Sequence, residues 1–275
     1  MVNPRLWNVV HETNSPDVVL AADFPVTGRN EGGFPELVQQ WGADVALWQT
    51  VPPTVMPDTD ITPADYLKPW LSEVADSGRR VRAVLGYCAG SVFAAALAEE
   101  IAAWQQPAPE VVVLDPELIT VVTAHLQFGR VMGNMAAVLN EDEVKQVEQD
   151  AAQLAAREGA GTRAFTADLF TRFRPLAQQA FTRAGLEEEF GEELIELVGS
   201  FMTYLSVASQ LDPRPGWARG TALSSTSPSS GLNRMRASGE VGEGAVAHEL
   251  TFDVEHRDLL RTAAVAEALT RILEK

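Results

Sequence analysis

Gly86-Tyr87-Cys88-Ala89-Gly90 sets the only cysteine of the chain between two glycines, each two residues from it. This spacing fits a nucleophile placed on a sharp strand-to-helix turn, where a side chain two positions away on either side would collide. An apolar run, Arg82 to Leu85, precedes the turn and an alanine-rich stretch follows it. The sequence therefore predicts a reactive thiol at the N-terminus of a helix, which favours the thiolate, with the Ala89 N–H available to a developing oxyanion. A thiol nucleophile needs a base. Of the four histidines, His11 precedes the first predicted core strands, His248 falls inside a strand pattern, and His125 belongs to a long helical segment. His256 stands just past the last predicted strand and is the preferred base, with His125 its competitor. For the acid, Asp115 directly follows the apolar run Val111-Val112-Val113-Leu114, 27 residues after Cys88, with Asp253 and Asp258 as local alternatives.

Those residues have to be positioned by a sheet. The first 115 residues alternate between strand-like and helix-like periods, the pattern of an α/β fold with a mostly parallel sheet and helices on both faces. Strands are predicted at 18–22, 44–50, 82–85 and 111–114, and helices at 34–41, from Thr62 to about 75, and at 91–104. Thr62-Pro63-Ala64-Asp65 carries the marks of a helix start: a capping hydroxyl, proline at the first position and an acid at the third. From 117 to 212 the pattern is helical, with candidate helices near 117–126, 141–157, 163–184 and 192–208 broken at Gly129, Gly159-Ala160-Gly161 and Gly185. Strand signals resume at 220–224 and 245–252, and a helix closes the chain from about 257 to 273. The expected organisation is a core of residues 1–115 and 218–275 with a helical lid, 116–217, inserted between its halves. The stretch 224–230, Ser-Ser-Thr-Ser-Pro-Ser-Ser, reads as a mobile surface loop.

Composition narrows the partners. The 38 acidic and 21 basic residues give a formal charge of −17 in 275 residues, which argues against nucleic acid. A single cysteine excludes an intramolecular disulfide, and no Cys/His spacing suits zinc. No nucleotide or flavin motif occurs, so no cofactor is expected. Nothing resembles a signal peptide or a membrane span, and a cytoplasmic protein is expected. The arginine groups Arg79, Arg80, Arg82 and Arg163, Arg172, Arg174, Arg183 are candidate basic patches. Phe165, Phe170, Phe173, Phe181, Phe201, Met202, Tyr204 and Leu205 are candidate walls of an acyl channel or packing between helices.

The run from Leu85 to Ala98, followed by Val-Val-Val-Leu-Asp115-Pro, resembles the free-standing thioesterases of nonribosomal peptide and polyketide synthesis, a branch of the α/β-hydrolases, with Cys88 where serine is usual. Phe24-Pro25-Val26-Thr27-Gly28 is similar to that family's early oxyanion loop, although Val26 stands where a smaller residue is usual, and Asp253 to Leu260 is similar to its histidine region. The resemblance implies a Cys88, His256, Asp115 triad in the chain order of α/β-hydrolases. It also implies oxyanion donors at Val26 and Ala89. The substrate would be an acyl or peptidyl group on the phosphopantetheine arm of a carrier protein, released in trans by hydrolysis, transfer or cyclisation. A dienelactone-hydrolase-like enzyme, which also carries a Gly-Tyr-Cys elbow, and a non-catalytic binding protein on the same scaffold are the alternatives.

Overall fold

The computed structural model describes residues 4–25, 30–135 and 138–274. In chain order the elements are β1 (Trp7–His11), β2 (Asp17–Ala22), α1 (Phe34–Val38), β3 (Ala46–Thr50), α2 (Pro63–Asp76), β4 (Arg80–Tyr87), α3 (Gly90–Ala102) and β5 (Glu110–Leu114). Five helices follow: α4 (Val121–Asn134), α5 (Glu141–Ala155), α6 (Thr162–Arg183), α7 (Glu188–Ala208) and α8 (Arg214–Trp217). The chain then returns to β6 (Thr221–Ser225), α9 (Gly231–Ala237), β7 (His248–Phe252), a 3-10 turn over His256–Arg261, and α10 (Ala263–Leu273).

Seven strands form one sheet in the order β1-β3-β2-β4-β5-β6-β7, with β1 antiparallel to β3 and every other pairing parallel. Parallel central strands are buried on both faces, so their side chains divide by parity between two apolar layers. Val18, Leu20 and Ala22 of β2, with Val84 of β4 and Val113 of β5, face one layer; Val19, Ala21, Leu85 and Leu114 face the other. The first layer is closed by α2, α3 and the helices that follow β5. The second is closed by α1, the 3-10 turn and α10. Helix α2 illustrates the local cause. Thr62 Oγ1 accepts the Asp65 N–H, Pro63 occupies the first turn, and Tyr66, Leu67, Trp70 and Val74 fall on one buried face. Burying each such side chain contributes about 1.5–3 kcal/mol.

Several boundaries differ from the sequence expectation. Strand β1 lies outside the strands that the sequence pattern predicts, because an edge strand that is only half buried lacks a continuous apolar run, and His11 ends it rather than preceding the strands. Gly129 does not break a helix: α4 starts at Val121 and runs through it, since the exposed glycine leaves the hydrogen-bond ladder intact. Helix α7 begins at Glu188, four residues before the predicted start, and the glutamates of its first turns are largely exposed. The segment between β5 and β6 also shares the core of the sheet. Phe201 and Tyr204 of α7 lie with ring centroids 5.1 and 5.3 Å from Phe24, and Tyr204 lies 4.3 Å from Phe93 of α3. Trp217 of α8 donates its indole N–H to Ser91 O at 3.0 Å.

Candidate active site

The elbow is built by close backbone approach. Register pairs Ala22 at the end of β2 with Gly86 of β4. A Cβ added at Gly90 would fall 2.0 Å from Ala22 O, and one at Gly86 would fall 2.4 Å from Ser91 Cα. Neither obstacle can rotate away, so both positions require glycine. Ser91 Oγ donates to Gly86 O at 2.9 Å and fastens the first turn of α3 to the strand it leaves. Cys88, at the apex, has φ 52°. A left-handed conformation at a non-glycine residue costs about 1–3 kcal/mol and points to a local functional demand.

The neighbouring strand ends supply the partners. Asp115, just past β5, is buried at 1% exposure. Its Oδ1 accepts the Ser225 N–H at 2.8 Å and its Oδ2 lies 2.7 Å from His256 Nδ1. A carboxylate at Nδ1 calls for the tautomer in which Nδ1 carries the hydrogen, leaving Nε2 as acceptor. The imidazole is clamped further. It stacks on Tyr87 at 4.9 Å and 15° between planes, Tyr87 O–H donates to His256 O at 3.0 Å, and the His256 N–H donates to Ser227 Oγ at 2.8 Å. His256 and Cys88 line one pocket, whose apolar wall includes Phe24, Val131, Phe201 and Tyr204.

The state of the thiol departs from expectation. Burial, followed by the Glu117 carboxylate, pushes the Cys88 thiol well above its ordinary value, so the resting group is a neutral thiol and not the thiolate that its helix N-terminus predicts. The Ala89 N–H and Arg130 act in the opposite direction and are outweighed. Glu117 Oε2 lies 3.4 Å from Cys88 Sγ, and Gln127 Nε2 lies 2.7 Å from that oxygen and 3.4 Å from the sulfur.

The other sequence candidates separate. Ala89 lines the pocket beside Cys88; Val26 lies outside the described residues. His125 is placed against Phe165, with ring centroids 6.2 Å apart, and does not line this pocket. His248 is exposed on β7. Asp253 meets Thr226, and Asp258 meets Arg257 and Arg261; neither takes the place of Asp115 at His256. Of the aromatic candidates, only Phe201 and Tyr204 reach the pocket, and Phe165, Phe173 and Phe181 are packed in the core. The arginines proposed as basic patches are already matched with carboxylates: Arg79 with Glu12, Arg80 and Arg82 with Asp17, Arg163 with Asp60, Arg172 with Asp150, Arg174 with Glu192, and Arg183 with Glu143. The serine-rich stretch 224–230 is part of the site and not a mobile surface loop, because Ser225, Ser227 and Ser230 are buried and the first two hold Asp115 and His256. Sequence reasoning missed Glu117, Gln127, Tyr87 and Ser227. For Glu117 a signal existed, its position two residues past Asp115 at the end of a parallel strand, where sites gather.

No family model and no curated protein matches the sequence. Among solved structures, the NocB thioesterase domain in covalent complex with a fluorophosphonate nocardicin G analogue aligns at TM-score 0.50 and 16% identity over 96% of each chain. The Vlm2 thioesterase domain carrying genetically encoded 2,3-diaminopropionic acid and a dodecadepsipeptide aligns at 0.52 and 15%, over 98% of this chain and 97% of that one. A holo four-domain nonribosomal peptide synthetase bound to AMP and glycine aligns at 0.60 and 10% over 97% of this chain, which matches 20% of that much longer one. The sheet, the elbow and these likenesses define an α/β-hydrolase fold. Among the described residues no helix is long and apolar enough to cross a membrane, and no group of three or more metal-ligating side chains converges.

Proposed function

We propose that this chain is a thioesterase that takes acyl or peptidyl groups from the phosphopantetheine arm of a carrier protein, acting in trans through Cys88, His256 and Asp115. The observation that carries the reading is the 2.7 Å contact of Asp115 with His256, which shares a pocket with a cysteine on a strained elbow. The thioesterase domains and the nonribosomal peptide synthetase among the structural neighbours support the substrate class.

Because the resting sulfur is a thiol, the route is general-base catalysis rather than attack by a preformed thiolate. The S–H proton passes to His256 Nε2 as sulfur bonds to the thioester carbonyl carbon, and Asp115 stabilises the imidazolium that forms. The oxyanion is met by the Ala89 N–H, with Val26 N–H as its proposed companion. Collapse breaks the bond to the carrier thiol, which leaves with the proton from His256. The acyl group has moved from one sulfur to another, so this step is near thermoneutral. Water or an amine, its proton taken by His256, then releases the product as a free acid or by transfer or cyclisation. The helices between β5 and β6 would act as the cover of the site. With the two arginine groups engaged by carboxylates, carrier docking would rest on shape and apolar contact more than on those charges.

Release of free thiol from acyl-pantetheine and acyl-carrier substrates tests the reading. Turnover by the wild type that is lost in Cys88→Ala supports it; thiol release no faster than that of the variant would leave a non-catalytic binding protein.

A further inference from the structure

The side chains hydrogen-bonded to the nucleophile do not include its proposed base. Among the described residues, the side-chain hydrogen bonds of Cys88 Sγ run to Glu117 and Gln127, and none joins it to His256. Glu117 is buried at 6% exposure and is held from three elements. Its own N–H donates to Cys88 O at 3.3 Å, Gln127 of α4 donates to Oε2 at 2.7 Å, and Arg234 Nε of α9 lies 3.1 Å from Oε1 as an ion pair not aligned as a hydrogen bond. Arg234 is shared with Glu240 and supplies the countercharge that a buried carboxylate needs. An ionised carboxylate only accepts, so the hydrogen between Sγ and Oε2 belongs to sulfur.

We propose that Glu117 is a positioning residue that holds resting Cys88 as a neutral thiol with its hydrogen directed at Oε2, so that the S–H must turn from Glu117 before His256 can take the proton. The pocket that Cys88 lines brings further charged and polar groups near it: Arg130 of α4, the Ala89 N–H at the start of α3, His256 itself, and the carboxylates of Asp23 and Glu31. Among the described residues, Glu117 is the one carboxylate hydrogen-bonded to the sulfur, and it adds to burial in disfavouring the thiolate. The thiolate is the form that alkylates and oxidises, so the resting enzyme is protected from both. The inference takes Cys88 as the nucleophile of the proposed function but concerns the thiol alone.

The test is the pH profile of Cys88 alkylation by iodoacetamide in wild type, Glu117→Gln and Glu117→Asp, with no competing thiol in the chain. The wild-type midpoint is expected above that of free cysteine. Glu117→Gln is expected to lower it by about one unit and to raise the rate at neutral pH up to about tenfold, whereas Glu117→Asp, which keeps the charge, is expected to stay near wild type. An unchanged or higher midpoint in Glu117→Gln overturns the proposal. Should that variant not fold, the infrared S–H stretch of the wild type, assignable because the chain has one cysteine, decides: a band lowered by hydrogen bonding supports the proposal, and a band at the position of a free thiol, or none at neutral pH, overturns it. Since no thioester is used, failure here leaves the thioesterase reading standing, and the converse also holds.

Discussion

Replacing Gly90 by alanine tests the elbow most severely. The new Cβ would sit 2.0 Å from Ala22 O, 2.7 Å from Ala22 C and 3.2 Å from Asp23 Cα. Ordinary contact between such atoms is about 3.5 Å, so the overlap with Ala22 O exceeds roughly 1 Å. The atoms in the way are backbone of β2, which is hydrogen-bonded to β3 on one side and β4 on the other. The other partner, the first turn of α3, is tied to Gly86 by Ser91. Overpacking that side chains can absorb costs about 1–3 kcal/mol; with backbone on both sides the expected cost is at least about 3 kcal/mol. For a chain of this size that lowers Tm by roughly 6–12 °C. A displacement of the nucleophile by about 1 Å should also reduce turnover about a hundredfold. Scanning calorimetry and thiol-release kinetics read both effects. Gly129→Ala is the control, because its added Cβ meets nothing within 4 Å and it lies in an exposed helix interior, where alanine should stabilise by up to about 1 kcal/mol. Gly90→Ala with a Tm within about 2 °C of wild type and unimpaired turnover would refute the crowding argument.

Asp115→Asn, which disturbs the carboxylate that fixes the His256 tautomer, should lower kcat by about 10²–10⁴-fold while far-UV circular dichroism stays unchanged; a loss under about threefold would remove Asp115 from the triad. Ser227→Ala leaves the His256 N–H without its acceptor, a loss of about 1–3 kcal/mol visible in urea unfolding, with kcat affected more than KM. Asp17 is held below the ordinary carboxylate range by its hydrogen bond to Arg80. Its unfolded state therefore binds the proton more readily, and its contribution, about 1 kcal/mol for a partly exposed pair, is present at neutral pH and lost as pH falls through the depressed range. Asp17→Asn should flatten that part of the acid-unfolding curve.

The residues that are chemically committed by local spacing were legible in the sequence. The two glycines, the thiol and an acid at the end of the next apolar strand follow from how a strand-to-helix turn is built, and the structure brings Asp115 to His256. What escaped depends on distant contacts. The charge state of Cys88 is governed by burial and by Glu117, 29 positions away, and outweighs the helix terminus that the local sequence advertises. The serine run reads as a loop because composition is blind to partners; its hydroxyl and amide groups are consumed by Asp115, Glu255 and His256. The arginines look like docking patches until the carboxylates opposite them are seen.

Whether Cys88 carries the acyl group can be read from the intact mass of the protein after incubation with acyl-pantetheine thioesters. The expected result is a gain of one acyl mass on the wild type, mapped to the peptide containing Cys88, retained or increased in a variant slowed in deacylation and absent in Cys88→Ala. An acyl adduct that persists in Cys88→Ala, or thioester turnover with that variant at the wild-type rate, would contradict it.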